Sequence, residues 1–282
     1  MNLTADIFKD ELNEQDSAEI AELPGPNLIM RTAGFIGSKC FFSFLKHRKD
    51  VYGTIRGKNH GWRLSCLDDD KINQHLIDCD ITDLDDVKHK LGILKPRTIF
   101  NFSAYGAYER QSDAQQIHQV NYGGVLNLIT VLKEIGCDAF VQAGSSSEYG
   151  LNCTAPHEDA ELIPNSDYAV SKGGAGLLIR YYGKIHSFPC ANLRLYSIFG
   201  PFEDRNRLIP NLVGRGLKGE YPVLVDKTIS RDFVYVDDCI RAFVKACQVC
   251  KTDPGISLNI GSGEKTSMEE VAQQAKQVFN IN

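Results

Sequence analysis

Tyr168 and Lys172 are the residues of this chain whose types and spacing most directly suggest chemistry. Residues four apart on a helix share one face, so the phenol and the ammonium group would lie one turn apart. A neighbouring ammonium favours the phenolate, and we therefore expect the pKa of Tyr168 to fall below its usual value of about 10. Such a tyrosine can move a proton to or from the oxygen of a hydroxyl or carbonyl group.

Three consecutive serines, residues 145–147, lie upstream of this pair. A serine beside Tyr168 would hold the same substrate oxygen, and the group would then serve reversible alcohol oxidation by a nicotinamide. The spacing alone is weak evidence, because a Tyr and a Lys four apart also occur by chance as a solvated surface pair. The interpretation therefore depends on the elements that position these side chains.

The composition is that of an ordinary globular protein: 282 residues, 43% hydrophobic and 24% charged. A net charge of −5 does not indicate nucleic acid or an anionic membrane as a partner. No apolar run approaches the roughly 20 residues that span a bilayer, and the acidic N-terminus lacks a secretory leader, so we expect a cytoplasmic protein. The nine dispersed cysteines indicate reduced thiols, and no ligand spacing predicts a metal site.

Short apolar segments alternate with longer helical patterns between residues 27 and 200. This alternation predicts an α/β fold, a Rossmann-type doubly wound parallel sheet with helices on both faces. The serines follow the carboxyl end of a predicted strand, which is the edge where open α/β sheets bind ligands. We expect residues 1–26 to be an extension outside the core, 27–200 to form the dinucleotide-binding domain, and 201–282 to form a small substrate-binding lobe.

A glycine-containing turn is predicted between the first strand and its helix, where Gly34 and Gly37 enclose Phe35 and Ile36. Such a turn places backbone N–H groups and the helix dipole against a diphosphate. The first glycine of the usual turn would fall at position 31, where this chain has Arg31. That arginine would rearrange the turn, contact the phosphates or block the site, and the sequence leaves these alternatives open.

The end of the second predicted strand indicates which nicotinamide cofactor is bound. An acidic residue at this point binds the ribose 2′-hydroxyl of NAD, whereas a nearby arginine accommodates the 2′-phosphate of NADP. Arg56 and Lys58 therefore favour NADP, with NAD as the alternative. Four further residues follow the third and fourth strands and are expected to border the cofactor: Asp80, Ile81, Ser103 and Ala104.

Eight segments resemble the extended short-chain dehydrogenase/reductase family, and within it the NAD-dependent epimerases and dehydratases that act on nucleotide sugars. In chain order they are residues 33–37, 101–104, 120–121, 145–150, 168–172, 194–201, 231–238 and 259–263. The resemblance implies an enzyme that oxidises a sugar hydroxyl by hydride transfer to the cofactor. Epimerisation, dehydration or ketoreduction would follow, so isomerase, lyase and oxidoreductase activities all remain open.

The resemblance also implies the roles of the catalytic residues. Tyr168 would be the acid and base, and Lys172 would hold the nicotinamide ribose. The family's catalytic serine or threonine lies four residues before the tyrosine of a Tyr-Gly pair. The segment looks one residue shorter here, so Ser146 is the best match and the serines at 145 and 147 are alternatives. Glu148 corresponds to a glutamate that abstracts a proton in the 4,6-dehydratases of the family, but epimerases and decarboxylases of the group also carry Glu here, so it is weak support for a dehydratase.

On the substrate side, the resemblance implies that Arg231 binds the diphosphate of a nucleotide sugar and that Ser197 contacts the substrate. Asn121 would support the active-site helix. The predicted helices at 114–135 and 168–186 form a dimer interface in relatives, so a homodimer is expected. Chains of the family usually run longer, and we expect the last elements of the substrate lobe to be missing.

Two other functions compete with this interpretation. Arg31 and the short C-terminus also suit a degenerate family member that binds nucleotides without turnover. A reductase of the same fold that acts on a non-sugar carbonyl is the third possibility. The arginines at 205, 207 and 231 favour a phosphorylated substrate over that third possibility.

Overall fold

Seven parallel strands form the centre of the protein in a computed structural model, which describes residues 11–57, 61–65, 72–220 and 229–280. Their order across the sheet is β10-β6-β5-β4-β1-β2-β3. They comprise β1 (Asn27–Met30), β2 (Val51–Ile55), β3 (Leu76–Asp78), β4 (Thr98–Asn101), β5 (Ala139–Ser145), β6 (Cys190–Leu195) and β10 (Ile256–Ile260). Two small sheets pair β7 (Ser197–Phe199) with β9 (Phe233–Tyr235), and β8 (Ser230–Arg231) with β11 (Thr266–Ser267).

Helices connect these strands and cover the sheet. They are α1 (Glu14–Glu22), α2 (Phe35–His47), α3 (Gly61–Leu64), α4 (Leu84–Leu94), α5 (Ala114–His118), α6 (Gly124–Ile135), α7 (Asp167–His186), α8 (Leu208–Gly216), α9 (Val236–Thr252) and α10 (Met268–Phe279). A π-helical turn, Gln119–Gly123, joins α5 to α6, and a 3₁₀ turn, Ser146–Tyr149, follows β5. Within the described ranges, no helix is both long and apolar enough to cross a membrane.

The central strands are apolar on both faces because helices cover both faces. Every residue of β1, β4, β5 and β6 is buried. Alternate strand residues point to opposite faces, and they divide the core into two clusters. One cluster contains Ile29 and Phe100 with Phe41 of α2, and the other contains Leu28 and Ile99 with residues of α6. The predicted Rossmann-type doubly wound sheet is confirmed.

Residues 11–26 pack on the core, which corrects the expectation that this part of the extension lies outside it, and the first ten residues fall outside the described ranges. Helix α1 begins at the capping residue Asn13 and places Ile20 at zero exposure in the same cluster as Phe41. Arg48 donates to the carbonyl oxygens of Ile20 and Leu23, the first at 3.0 Å. The sequence did not predict this packing, because the few apolar residues of a short acidic segment give only a weak helical pattern.

The predicted domain boundary at residue 200 also disagrees with the structure, because part of the chain beyond it belongs to the central sheet. Strand β10 pairs in parallel with β6 over five residues, from Ile256 to Ile260, and helix α9 packs on β5 and β6. Residues 236–260 therefore complete the central sheet rather than a separate lobe. The two small sheets and helices α8 and α10 remain beside the sheet, and α8 contacts α10 where Gly216 meets Phe279.

Candidate active site

A cavity of about 1090 Å³ lies at the carboxyl ends of β1, β4 and β5. Strand order reverses between β1 and β4, and open α/β sheets bind ligands at such a point. The strand ends contribute Ala104 and Ser145, α7 contributes Tyr168, and the small sheets contribute Arg231 and Phe233. The cavity therefore brings the catalytic candidates of the sheet together with residues from beyond position 200.

Tyr168 lines this cavity from the first turn of α7, whose N-terminus is capped by the Ser166 hydroxyl. Burial raises the pKa of Tyr168, and the negative charge of Glu148 adds to the rise. The Ser145 hydroxyl and the charges of Arg31 and Arg207 act in the opposite direction. The expected lowering of the Tyr168 pKa is wrong for this structure, because desolvation outweighs the nearby charges.

Among the three serines, the structure brings Ser145 to the tyrosine. Its hydroxyl interacts with Tyr168 and also accepts the backbone N–H of Ser147 at 3.1 Å, which caps the 3₁₀ turn. Ser146 and Ser147 line the cavity but start the turn, and Ser147 is exposed. Ser145, rather than the predicted Ser146, is thus the serine beside Tyr168, and it lies four residues before Tyr149.

Lys172 lies one turn beyond Tyr168 with a side chain that is only 2% exposed. Its Nζ donates to the carbonyl oxygen of Ala143 at 2.9 Å and stands 5.9 Å from the centre of the Tyr168 ring. Burial lowers the pKa of Lys172 to about 8. The ammonium group is thus fixed at the end of β5, beside the tyrosine, as the helical spacing predicted.

Glu148 does not face the cavity, which corrects its interpretation as a proton-abstracting residue. Its side chain is fully buried and forms an ion pair with Arg194, with Oε2 2.8 Å from Nε. Oε1 accepts the backbone N–H of Ser145 at 2.9 Å. Burial raises the pKa of Glu148, and Arg194 opposes that rise. The carboxylate therefore holds the strand end that carries Ser145 and is not among the residues that line the cavity.

Asn121 ties the loop after β4 to the helix of Tyr168. Its Nδ2 donates to the Tyr105 carbonyl at 2.8 Å and to the Ser171 hydroxyl at 2.9 Å. The Ser171 hydroxyl in turn donates to the carbonyl oxygen of Tyr168 at 2.9 Å. The π-helical turn places Asn121 at this junction, and the contacts match the supporting position that the sequence predicted.

The glycine turn closes tightly at the first strand. A Cβ atom at Gly37 would lie 2.5 Å from the carbonyl oxygen of Arg31, so only glycine allows this approach. Arg31 itself has φ 59, a left-handed conformation that usually favours glycine. Its guanidinium crosses the cavity and donates to the Ala104 carbonyl.

The residues around this turn fit a nicotinamide dinucleotide. Phe35, Ile36 and Ala104 line the cavity beside the turn, and Lys172 is fixed close by. The Arg31 guanidinium lines the cavity and carries the charge that suits a diphosphate.

The other predicted cofactor residues lie outside the cavity wall. Arg56 follows β2 with a 64% exposed side chain, and its Nη1 is 4.0 Å from Oδ2 of Asp80. Ile81 is buried against Gly124, and Ser103 is buried with its N–H bonded to Asn101. Only Ala104 of the four residues after β3 and β4 lines the cavity. Lys58 falls outside the described residues.

The far wall of the cavity carries charged residues, several of which the sequence did not indicate. Arg231 is exposed on β8, and Ser197 is half-buried on β7 with its N–H bonded to the Asp232 carbonyl at 2.9 Å. Burial raises the pKa of Glu203 to about 7, and its Oε1 is 3.9 Å from Nε of Arg207. The sequence did not indicate Glu203 and Tyr108, because loops carry no periodic signal, or Arg63, because its helix spans only four residues.

Comparison with known proteins gives consistent similarities. The model of a family described as the NAD dependent epimerase/dehydratase family matches residues 28–261. A low-salt glycan biosynthesis protein of Haloferax volcanii is 29% identical over 88% of this chain and 80% of its own length. A UDP-glucuronate 4-epimerase of Thermodesulfobacterium geofontis is 26% identical over 85% of this chain and 76% of its own.

A solved structure is also similar along most of its length. The UDP-glucuronic acid 4-epimerase of Bacillus cereus, in complex with UDP-glucuronic acid and NAD, superimposes with a TM-score of 0.76 at 25% identity. The match covers 91% of this chain and 83% of the epimerase.

Proposed function

The chain belongs to the NAD dependent epimerase/dehydratase family, and from that premise we propose that it oxidises a hydroxyl of a nucleotide-linked sugar with a nicotinamide dinucleotide. The observation that carries the proposal is the convergence of Tyr168, Lys172 and Ser145 in one cavity beside the Gly34–Gly37 turn. Relatives and neighbours of the family are described as epimerases and dehydratases of UDP- and dTDP-sugars, which supports this substrate class.

The residues of the cavity divide the work on a sugar hydroxyl. Ser145 would hold the oxygen by a hydrogen bond, and Tyr168 in its phenolate form would accept the proton and become a neutral phenol. The dinucleotide, held by the Gly34–Gly37 turn, would supply the hydride acceptor and donor. Lys172 keeps a positive charge beside the Tyr168 oxygen, and this charge would stabilise the phenolate before it takes up the proton.

We propose NADP as the preferred dinucleotide, with NAD as the alternative. Arg56 is exposed at the end of β2, where a 2′-phosphate would lie, and no acidic residue precedes it in that strand. The neighbour from Bacillus cereus has NAD bound, so the preference depends on Arg56 rather than on similarity.

The substrate would lie against the small sheets. Arg231 and Arg207 line the cavity there, and two guanidinium groups suit the diphosphate of a nucleotide sugar. Epimerisation and ketoreduction fit the Tyr168 and Ser145 pair without a further base. Dehydration would need a base other than Glu148, because that carboxylate is bound to Arg194.

A homodimer is also proposed, with α7 at its centre. Val170, Leu177, Tyr181 and Ile185 are 46–69% exposed and recur on one face of that helix. Tyr122 lies beside them and packs close to Gly174. A continuous apolar face of this kind is typical of a protein interface, and a second copy of the chain offers the same face.

The function is tested by binding and then by turnover. Calorimetric titration with NADPH and NADH first measures dinucleotide binding. Turnover is then measured on a panel of nucleotide sugars, in the presence of whichever dinucleotide binds. We expect Tyr168→Phe to lower turnover by about 100- to 10,000-fold while binding of the dinucleotide is retained. Ser145→Ala should lower turnover strongly, and Ser146→Ala is the matched control that should not.

A catalytically degenerate nucleotide-binding protein is the second candidate, and Arg31 in the first turn is the observation that favours it. Dinucleotide binding without turnover on any nucleotide sugar would support this candidate. Turnover that survives Tyr168→Phe would overturn the catalytic assignment itself.

A further inference from the structure

Arg31 extends its side chain along the glycine turn rather than away from it. Its Cγ and Cδ atoms lie 3.6 Å from the position of a Cβ on Gly34, and its guanidinium reaches the Ala104 carbonyl. The backbone at this position is held by a bond from its N–H to the Thr54 hydroxyl at 2.9 Å. The guanidinium is therefore placed over the cavity floor between the ends of β1 and β4.

Arg63 approaches the same turn from helix α3. Its Nε donates to the Phe202 carbonyl at 2.6 Å, and its Nη1 donates to the Ala33 carbonyl at 3.3 Å. The ring of Trp62 lies against the guanidinium, 4.7 Å from Cζ. Like Arg31, the side chain lines the cavity. Two guanidinium groups from different elements thus line the cavity beside the turn.

Neither guanidinium is neutralised within the described residues. No carboxylate lies within 4.0 Å of Arg31 or Arg63, and their polar contacts are backbone carbonyls. Two other arginines of the same cavity are paired, since Arg110 lies 3.5 Å from Asp204 and Arg207 lies 3.9 Å from Glu203.

The unpaired cations are also partly desolvated and close to like charge. Burial lowers the pKa of Arg31 and of Arg63. Tyr108 and Tyr168 oppose this shift at Arg31, whereas the charges of Arg63 and Arg56 add to it. Tyr108 and the Asp204 carboxylate oppose it at Arg63. Partly buried cations that repel each other are stabilised by an anion between them.

We infer that Arg31 and Arg63 form a clamp for the diphosphate of the dinucleotide at the Gly34–Gly37 turn. This inference rests on the proposed function for the identity of the ligand. Guanidinium groups bind phosphate oxygens through paired, charge-assisted hydrogen bonds, which are stronger than bonds to neutral carbonyls. The carbonyl groups of Ala104 and Ala33 then hold the two side chains in position for the ligand. Arg31, which stands where the usual turn has its first glycine, thereby becomes a phosphate ligand.

The clamp is tested by calorimetric titration of the full chain with NADPH, NADH and inorganic pyrophosphate. Arg31→Asn removes the charge and tolerates the left-handed backbone, whereas Arg31→Lys keeps the charge. We expect Arg31→Asn and Arg63→Gln each to weaken dinucleotide and pyrophosphate binding by at least about tenfold, with the lysine variants losing less. Arg110→Gln, which removes a paired charge from the same cavity, should leave binding nearly unchanged.

Each other outcome is also decisive. Tighter dinucleotide binding by Arg31→Asn would overturn the clamp and identify Arg31 as an obstruction. Unchanged affinity in variants with unchanged thermal unfolding would overturn it as well, while the proposed function would stand. If the wild type binds pyrophosphate through these arginines but neither dinucleotide, the clamp holds and the proposed function fails. If it binds none of the three ligands, both fail.

Discussion

Glu148 and Arg194 form an ion pair inside the sheet, with Oε2 2.8 Å from Nε and the Glu148 side chain at zero exposure. Arg194 also donates to the Tyr149 hydroxyl at 2.8 Å, and that hydroxyl donates to Asn259 at 2.8 Å. The pair thus joins β5, β6 and β10 directly behind Ser145. A glutamate in a segment that resembles a catalytic motif has here a structural role.

Glu148→Ala is expected to lower the free energy of unfolding by about 3–5 kcal/mol, because it leaves the Arg194 charge buried without a partner. Urea unfolding measures this loss. The exposed carboxylate Glu161 provides the control, since Glu161→Ala should change stability little. The double variant Glu148→Leu with Arg194→Met should recover much of the loss. Unchanged stability with abolished turnover would instead return Glu148 to the catalytic residues.

Arg56→Asp is expected to reverse the preference between the two dinucleotides. The exposed guanidinium would no longer meet a 2′-phosphate, and a carboxylate would accept the ribose 2′-hydroxyl instead. Titration should show NADPH affinity at least about tenfold lower and NADH affinity equal or higher. Lys218→Glu, a charge reversal at an exposed position outside the cavity, is the matched control. Equal NADPH affinity in both variants would contradict the preference for NADP.

Lys172→Met is expected to change how stability depends on pH. The pKa of Lys172 is about 8 in the folded protein, against about 10.4 when unfolded. Between these values the unfolded chain binds a proton that the folded chain has lost, so the contribution of Lys172 to stability rises with pH. Below about pH 8 Lys172 is charged although it is buried in the folded protein. The size of its pKa shift corresponds to a cost of roughly 3 kcal/mol in the free energy of unfolding.

The measurement is the difference between wild type and variant in urea, at pH 7 and again near pH 10. Met removes the buried charge, so the variant's advantage should be largest at pH 7 and smaller near pH 10. The stability of the wild type must be subtracted from that of the variant at each pH, because other groups also titrate. Burial raises the pKa of thiols such as Cys239, and their effect on the pH dependence of stability has the opposite sign. Lys218→Met should show the same difference at both values, and equal differences for Lys172→Met would contradict the shift.

Leu177→Arg is expected to convert the protein from a dimer to a monomer. Leu177 is 60% exposed in the middle of the apolar face of α7, and a charge there would be desolvated in the interface. Sedimentation velocity gives the mass directly. Ile93 on α4 is 72% exposed without such neighbours on its helix, so Ile93→Arg should leave the mass unchanged. A wild-type monomer would rule out this interface.

The sequence by itself determined the features that depend on local periodicity. Short apolar strands alternating with helices predicted the parallel sheet, and four-residue spacing predicted that Lys172 would stand one turn from Tyr168. Both follow from backbone geometry that neighbouring residues share. The position of the cavity at the carboxyl edge followed from the same strand order.

Tertiary structure decided what depends on distant partners. Glu148 is bound by a residue 46 positions away, and Ile20 enters the core against helices far along the chain. Burial reversed the expected pKa shift of Tyr168. Strand β5 ends at Ser145, and this end point places Ser145 rather than Ser146 beside the tyrosine. The direction of the Arg31 side chain also required the folded protein, because the carbonyl that it reaches lies 73 residues on and only packing brings it there.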